Sequence, residues 1–334
     1  MLRGFLLFVF ALALVGIGAL SLMPLLWRWL PQSVALVPAA PQFAAAALVL
    51  ALGFLLLRAR KTALLAFAVT VWNVVLVWPG VGEISLSPAA QAGAKPLKLI
   101  SFNLWYRNSD PGATLAYLAQ SEADVIGLVE ATPRLKAALA PLRLLYPYSI
   151  DCIDRDPDCE IMLFSKLPLR KPYAGKTDGR FPYIAQAEID WGGRPVTVVM
   201  THVAWPFMVP YRPSPVVAAL VPARPRLPGV PDLAQSRQAA NLAAHVNKLP
   251  PDLVVMGDFN NASWSRVQIA FREATGLDNR GHYLPSWPTF TWPVLRLPID
   301  QVFLRGGLRA SRMGLGPSVG SDHLPLEAEV TVGP

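Results

Sequence analysis

Three long apolar runs at the front of the chain constrain its architecture most. Gly4 to Leu26 is almost entirely apolar, Phe43 to Leu57 is a second such run, and Thr62 to Trp78 is a third. Each approaches the ~20 residues that cross a hydrocarbon core. The second extends back to Val34 if Pro38 and Pro41 are tolerated. A signal peptide is the alternative for the first run, but its apolar stretch is long and two more follow. The sequence predicts about three transmembrane helices within residues 1–82. A small, polar, Pro- and Gly-containing linker follows at 83–96.

Basic residues give the spans a direction. Arg58, Arg60 and Lys61 lie between the second and third runs, whereas the loop between the first and second holds only Arg28. Short loops rich in Lys and Arg stay in the cytoplasm, and Arg3 agrees. An odd number of spans then places everything after Trp78 at the outer face of the cytoplasmic membrane, with the lipid bilayer as a partner. Cys152 and Cys159 bracket IDRDPD in one polar loop, where an oxidising compartment would allow a local disulfide. Two unrelated free thiols are the alternative. A zinc site is not expected, because no further Cys exists and no His lies nearby.

The net charge of +8 is not an argument for nucleic-acid binding. Residues 1–95 hold six basic residues and one acid, leaving 24 of the 30 basic and 21 of the 22 acidic residues to the rest. A nucleic-acid domain would concentrate its basic excess in the soluble part. That part, residues 97–334, is long enough to bury one sizeable core.

Within it, Leu253 to Met256 is a short apolar run ended by Gly257, which reads as a buried strand. Asp258 and Asn260 follow it, and extended geometry points them to one side. A plain turn is the alternative reading of GDFN. The same arrangement recurs along the chain. Strands are expected at Leu97–Leu104, Asp124–Val129, Glu160–Phe164, Tyr183–Asp190, Val196–Thr201, Ile299–Leu304 and Leu326–Val330. Helices are expected at Pro111–Gln120, Pro133–Leu142 and Asp232–Leu249. Asn103, Glu130, His202, Asp258, Asn260, Asp300, Asp322 and His323 then fall at successive strand ends, a layout that suits a composite site at one edge of paired sheets. Arg237 reads as a structural helix residue. The long Pro-rich stretch 203–231, with Trp205, Phe207, Met208 and Tyr211, suits a lid, a binding loop or a disordered segment.

In this ordered set the sequence resembles the endonuclease/exonuclease/phosphatase superfamily, the DNase I-like fold. The carriers are SFNLW (101–105), DVIGLVEA (124–131), VVMTHV (198–203), GDFN (257–260), PID (298–300) and GSDHLP (320–325). NNASWS after GDFN, with LRLPID and GSDHLP, looks closest to the bacterial membrane-anchored members. Gln301 departs from the His that many of these carry after the Asp. The resemblance implies a four-layer α/β sandwich, two packed β-sheets flanked by helices, and metal-dependent hydrolysis of phosphodiesters or phosphomonoesters.

It also implies roles. Glu130 would be the main Mg²⁺ ligand (Mn²⁺ being the alternative ion), helped by Asn103 and Asp322. His323 would act as general base or stabilise phosphoryl charge, with Asp300 orienting its ring. Asp258 would position or deprotonate the attacking water, and Asn260 and His202 would hold phosphate oxygens. A divalent ion offsets the charge that makes phosphoesters resist attack. The competing reading is a membrane-anchored binding protein that keeps the fold without catalysis, and the complete residue set argues against it. The substrate stays open between nucleic acid, lipid and small phosphoesters, and no protein partner is inferable.

Overall fold

The apolar runs are helices in the computed structural model, which describes residues 1–81, 95–208, 225–279 and 283–333. They are α1 (Leu2–Leu22), α2 (Ala40–Leu56) and α3 (Arg60–Val81). Taken with the 3₁₀ turns that adjoin α1 and α2, the helical stretches Leu2–Leu26, Pro31–Leu56 and Arg60–Gly80 are long and apolar enough to cross a membrane. Both prolines before the second apolar run are accommodated, Pro38 inside a 3₁₀ helix that runs on into α2. Residues Pro31–Ala39 form a 3₁₀ segment, and α2 begins at Ala40 with Pro41 in its first turn, where a missing N–H leaves no bond unmade. Small residues let the spans approach closely: Ala51, Ala63 and Ala66 are buried around Phe54. Asn73 of α3 donates to Ser21 Oγ at 2.9 Å, and Trp72 Nε1 to the Ser21 carbonyl at 3.0 Å.

The expected linker, 83–96, lies outside the described residues except for Lys95 and Pro96. Beyond it come β1 (Leu97–Asn103), α4 (Pro111–Gln120), β2 (Val125–Val129), α5 (Pro133–Ala138), β3 (Tyr148–Asp151), β4 (Met162–Ser165), β5 (Arg170–Thr177), β6 (Arg180–Trp191) and β7 (Arg194–His202). Then follow α6 (Ala234–Val246), β8 (Leu253–Asp258), α7 (Arg266–Thr275), β9 (Asp300–Arg305), β10 (Leu308–Leu315) and β11 (Leu326–Val332). The strands build two sheets, ordered β10-β11-β1-β2-β4-β3 and β5-β6-β7-β8-β9. Asp110 caps α4, accepting from Ala113 N, and Thr132 does the same for α5 through Leu135 N.

The two sheets bury one core between them, where Leu99, Val125 and Val129, on the strand face of Ser101 and Gly127, meet Val198, Met200 and Met256. At Gly127 they come so close that a Cβ would lie 2.5 Å from Met200 Sδ. Alternate residues of the second sheet, Val199, Val255 and Phe303, point the other way onto Ala239 and Phe271 of α6 and α7. This is the expected four-layer sandwich. Three things were not expected. Strands β3, β5 and β10 and helix α7 lie where no element was assigned. The strand expected to begin at Glu160 begins at Met162, which leaves Glu160 in a loop. The Pro133–Leu142 helix ends at Ala138 and gives way to a 3₁₀ turn, Ala140–Leu144, because Pro141 cannot continue the hydrogen-bond ladder.

Topology explains why polar residues converge. β1 runs parallel to β2, and β7 parallel to β8, so Asn103, Glu130, His202 and Asp258 leave their strands at one edge. β9 runs antiparallel to β8 and starts at that same edge with Asp300.

The part that follows β1 also packs on one end of the three apolar helices. Trp264 Nε1 donates to the Val37 carbonyl at 2.8 Å, inside a small cluster with Val37, Ala262 and Val77. Ser263 Oγ reaches the Gly80 carbonyl and Arg272 that of Pro79. The opposite ends hold Arg3, bonded to the Leu57 carbonyl, along with Arg58, Arg60 and Lys61.

Candidate active site

Three neighbouring strands deliver a row of side chains. His202 pairs in register with Asp258, and Asp258 with Asp300. Gly257 makes this possible. Its φ is +146°, and a Cβ there would lie 1.8 Å from the Thr201 carbonyl oxygen, so only glycine fits before the aspartate. Two residues follow strand ends in the left-handed region, Glu130 with φ +54° and Asn260 with φ +49°. Such conformations cost non-glycine residues free energy and concentrate at functional positions.

His323 sits at the centre, nearly completely buried. Its Nδ1 lies 2.8 Å from Asp300 Oδ2, which also accepts from Ser286 Oγ. Its Nε2 lies 3.7 Å from Asp258 Oδ2 and 3.9 Å from Asp322 Oδ1. Burial alone would lower the imidazole pKa, but the charges of Asp300, Asp258 and Asp322 and the Asp300 hydrogen bond outweigh it and raise it to about 9. Burial, then the Asp300 charge, pushes Asp258 up to about 6 against the pull of both histidines.

His202 forms the second imidazole. Its Nδ1 is 2.5 Å from Glu160 Oε1, and its Nε2 is 3.2 Å from Asn260 Nδ2 and 3.8 Å from Asp258 Oδ2. Burial opposes its protonation, yet Glu160 and the charges of Asp258 and Glu130 raise it to about 10. Asn260 is fixed by donating to the Val203 carbonyl, while its own N–H caps Asp258 Oδ1.

The third group is acidic. Asn103 Nδ2 bridges Glu130 Oε1 at 2.9 Å and Asp258 Oδ2 at 3.0 Å, and its Oδ1 accepts from Trp105 N. Asn103 therefore turns its NH₂ toward the carboxylates and orients Glu130, with its oxygen already engaged. Glu130 Oε2 accepts from Tyr106 N. Asp322 Oδ2 accepts from Trp287 Nε1, and burial, with the Glu130 charge, raises its carboxyl despite His323.

All eight residues expected from the sequence are thus brought together. Sequence reasoning missed Glu160, Trp287 and Ser286, and it gave Ser321 no role. Ser321 Oγ donates to the Asn103 carbonyl and accepts from His323 N, tying β1 to the GSDHLP loop. No signal in the chain marks Glu160 except its position beside Cys159. Cys152 and Cys159 are disulfide-bonded. Trp205 packs edge-on to Trp287, with ring centroids 5.1 Å apart. It is therefore part of the wall of the site rather than a free surface aromatic, and Tyr211 lies outside the described residues. Arg237 pairs with Asp232 on its own helix side, in keeping with a structural part.

The carboxylates of Glu130 and Asp258, with His202, bring one ligand atom each within 4.8 Å of one another, and so do Asp258, Asp300 and His323. Asp322 Oδ1, Asp300 Oδ1 and Asn260 Oδ1 are buried without a hydrogen-bond partner among the described residues. Buried oxygens left unpaired beside several like charges fit a hard divalent cation.

The match to known sequences follows the same residues. The model of the endonuclease/exonuclease/phosphatase family matches residues 100–323. The chain belongs to the endonuclease/exonuclease/phosphatase family. Members of this family are phosphoester hydrolases and depend on divalent metals. Among solved structures, an endonuclease/exonuclease/phosphatase from Bacteroides vulgatus superposes with a TM-score of 0.54 at 13% identity, covering 71% of this chain and 99% of that one. One from Beutenbergia cavernae gives 0.51 at 16% identity, covering 72% of each chain. A humanized D. rerio TDP2 gives 0.51 at 16% identity, covering 71% of this chain and 99% of the other. At these identities the likeness is one of fold, the DNase I-like fold. No curated protein matches the sequence.

Proposed function

We propose that this family member is a Mg²⁺-dependent phosphoester hydrolase working at the outer face of the membrane that its helices span. The observation that carries the reading is the His323 ring, held by Asp300 on one side and aimed at Asp258 on the other. Glu130 and Asp322 would hold the cation, with Asn103 orienting Glu130. Bound there, Mg²⁺ would offset negative charge on the phosphoryl oxygens.

The chain's own residues do the rest. Asp258, with a pKa of about 6, is a carboxylate at neutral pH and basic enough to take a proton from water. The water oxygen bonds to phosphorus, the ester P–O bond breaks, and the proton ends on the leaving alkoxide. His323, still protonated at neutral pH because its pKa is about 9, stabilises the charge gathering on the phosphoryl group. Asp300 keeps that ring fixed. His202, made cationic by Glu160, and the Asn260 amide hold the non-bridging oxygens.

Three spans form a membrane domain at residues 1–82, and 97–334 form the catalytic domain. The outward placement is supported by where the two meet. The catalytic domain contacts residues 37–42 and 79–80, at the ends remote from Arg3, Arg58, Arg60 and Lys61, and basic loops stay in the cytoplasm.

The test is hydrolysis by the purified protein of duplex DNA, an aryl phosphodiester, an aryl phosphomonoester and phospholipid vesicles, each with Mg²⁺, Mn²⁺ or EDTA. Metal-dependent turnover that disappears in His323→Ala supports the proposal. A folded, metal-binding protein without turnover on the whole panel would sink it.

A further inference from the structure

The rim of the site carries an apolar tip that this chemistry does not use. In loop 288–296, Phe290 is 77% exposed, Trp292 78%, Val294 73% and Leu295 55%. A contiguous apolar cluster of this kind marks a surface that something covers. The backbone of the loop points to the occupant. Gln42 Nε2 donates to the carbonyls of Val294 and Arg296, at 3.2 and 2.9 Å, and reaches Tyr283 OH at 3.3 Å. Gln42 belongs to the first turn of α2, inside the apolar span Pro31–Leu56, so the tip lies beside the outer part of that span. Counted from Leu56, the ~30 Å of hydrocarbon takes about 20 residues of helix, which places Gln42 within the outer leaflet part of the span Pro31–Leu56. Trp29, 80% exposed, lies in the connection at that same end. Aromatic side chains collect at this depth.

The loop is equally tied to the site. Arg296 donates to the Thr289 carbonyl at 3.0 Å. Thr289 N donates to the Asp322 carbonyl at 2.8 Å, and Thr289 Oγ1 to that of Ser321 at 2.9 Å. Trp287 Nε1 holds the Asp322 carboxylate. Phe290 therefore begins one residue beyond the support of Asp322 and His323.

We infer that loop 288–296 is a membrane-inserted wedge. Phe290, Trp292, Val294 and Leu295 enter the leaflet of the bilayer that α1–α3 span. They hold the site at headgroup depth, where it takes a phosphoester amphiphile anchored in that leaflet. The inference rests on the phosphoesterase reading and adds a substrate class to it. Water attacks phosphorus at the interface, the ester bond breaks, the leaving alkoxide takes the proton, and the alkyl chain stays in the membrane.

The experiment uses the full chain in lipid nanodiscs. Both cysteines are engaged in the disulfide, so Trp292→Cys supplies a single thiol for a fluorophore. Lipids brominated in the upper acyl chain should quench it, and a fluorophore that no brominated lipid quenches would overturn the wedge. Turnover is compared, with Mg²⁺ present, on two aryl phosphodiesters that share the reacting group, a soluble methyl ester and a hexadecyl ester dissolved in the bilayer. The hexadecyl ester should be preferred. The Phe290→Ser/Trp292→Ser variant should lose about tenfold on it and nothing on the methyl ester. Equal losses on both, or better turnover of the methyl ester by the unaltered protein, would overturn the amphiphile and leave the phosphoesterase standing. Turnover of neither ester would overturn the phosphoesterase and the substrate class together, and the quenching would then judge the wedge alone.

Discussion

His323 Nδ1 lies 2.8 Å from Asp300 Oδ2, in a pocket where both side chains are almost fully buried. In that setting a carboxylate holds the ring in one orientation and favours its charged form. Asp300→Asn keeps the shape and removes the charge. Metal-dependent turnover should fall about 10²- to 10⁴-fold, with the melting temperature little changed. Steady-state kinetics beside thermal unfolding will check both halves.

Glu160 does for His202 what Asp300 does for His323. In metal-free protein, an NMR titration should place His202 near 10, and Glu160→Gln should bring it down toward 6.5, its ordinary value. The pair must then act on stability with a definite sign. The folded state keeps its proton to about 10 and the unfolded state only to about 6.5. Stabilisation is therefore full below 6.5 and lost as pH rises through the folded value. Denaturant unfolding should show the gap between the two proteins closing as pH rises across that window.

The disulfide Cys152–Cys159 is the covalent neighbour of Glu160. Cys159→Ser should cost about 2 kcal/mol of stability and also lower turnover, by loosening Glu160. An unaltered pKa for His202 in that variant would show that the loop holds its shape without the bond.

Gly80 ends the third span against the loop that follows GDFN. A Cβ there would lie 2.6 Å from Trp264 N and 2.7 Å from Ser263 Oγ. Gly80→Ala should cost about 1–3 kcal/mol by overpacking, measured as a lower unfolding midpoint of the detergent-solubilised chain. Gly16, with nothing within 4 Å of its Cβ position, should accept Ala freely.

A periplasm-dependent reporter joined after Pro334 should be active, and one joined after Lys61 silent. The opposite pattern would reverse the orientation proposed from Arg58, Arg60 and Lys61.

The fold was legible wherever one residue class filled one period. Leu253–Met256 could only be an inner strand, and the apolar runs of its neighbour β7 and of β2 in the other sheet follow the same logic. Asn103, Glu130, His202 and Asp258 were legible because each sits where an apolar run stops, and Asp300 and His323 because each stands just before or at the start of one. Glu160, Ser286 and Trp287 were not, since they lie in irregular segments and are recruited by tertiary contact. Helix α7 was hidden because its apolar face is short, Val267, Ala270 and Phe271. Gln301 looked like a departure at the site. Its amide instead donates to the Asn261 and Pro298 carbonyls and accepts from Asn279, so it braces the loop behind the site. Trp264 read as part of a motif, and its partner Val37 lies too far away in sequence to be foreseen.

The row His202, Asp258, Asp300 crosses three strands whose side chains alternate between faces. Sliding β8 by one residue would bring Gly257 or Phe259 to the mouth and turn the carboxylate away. On the function proposed above, metal or phosphate binding would then gauge strand alignment, counting correctly threaded molecules in a preparation that circular dichroism would score as fully folded.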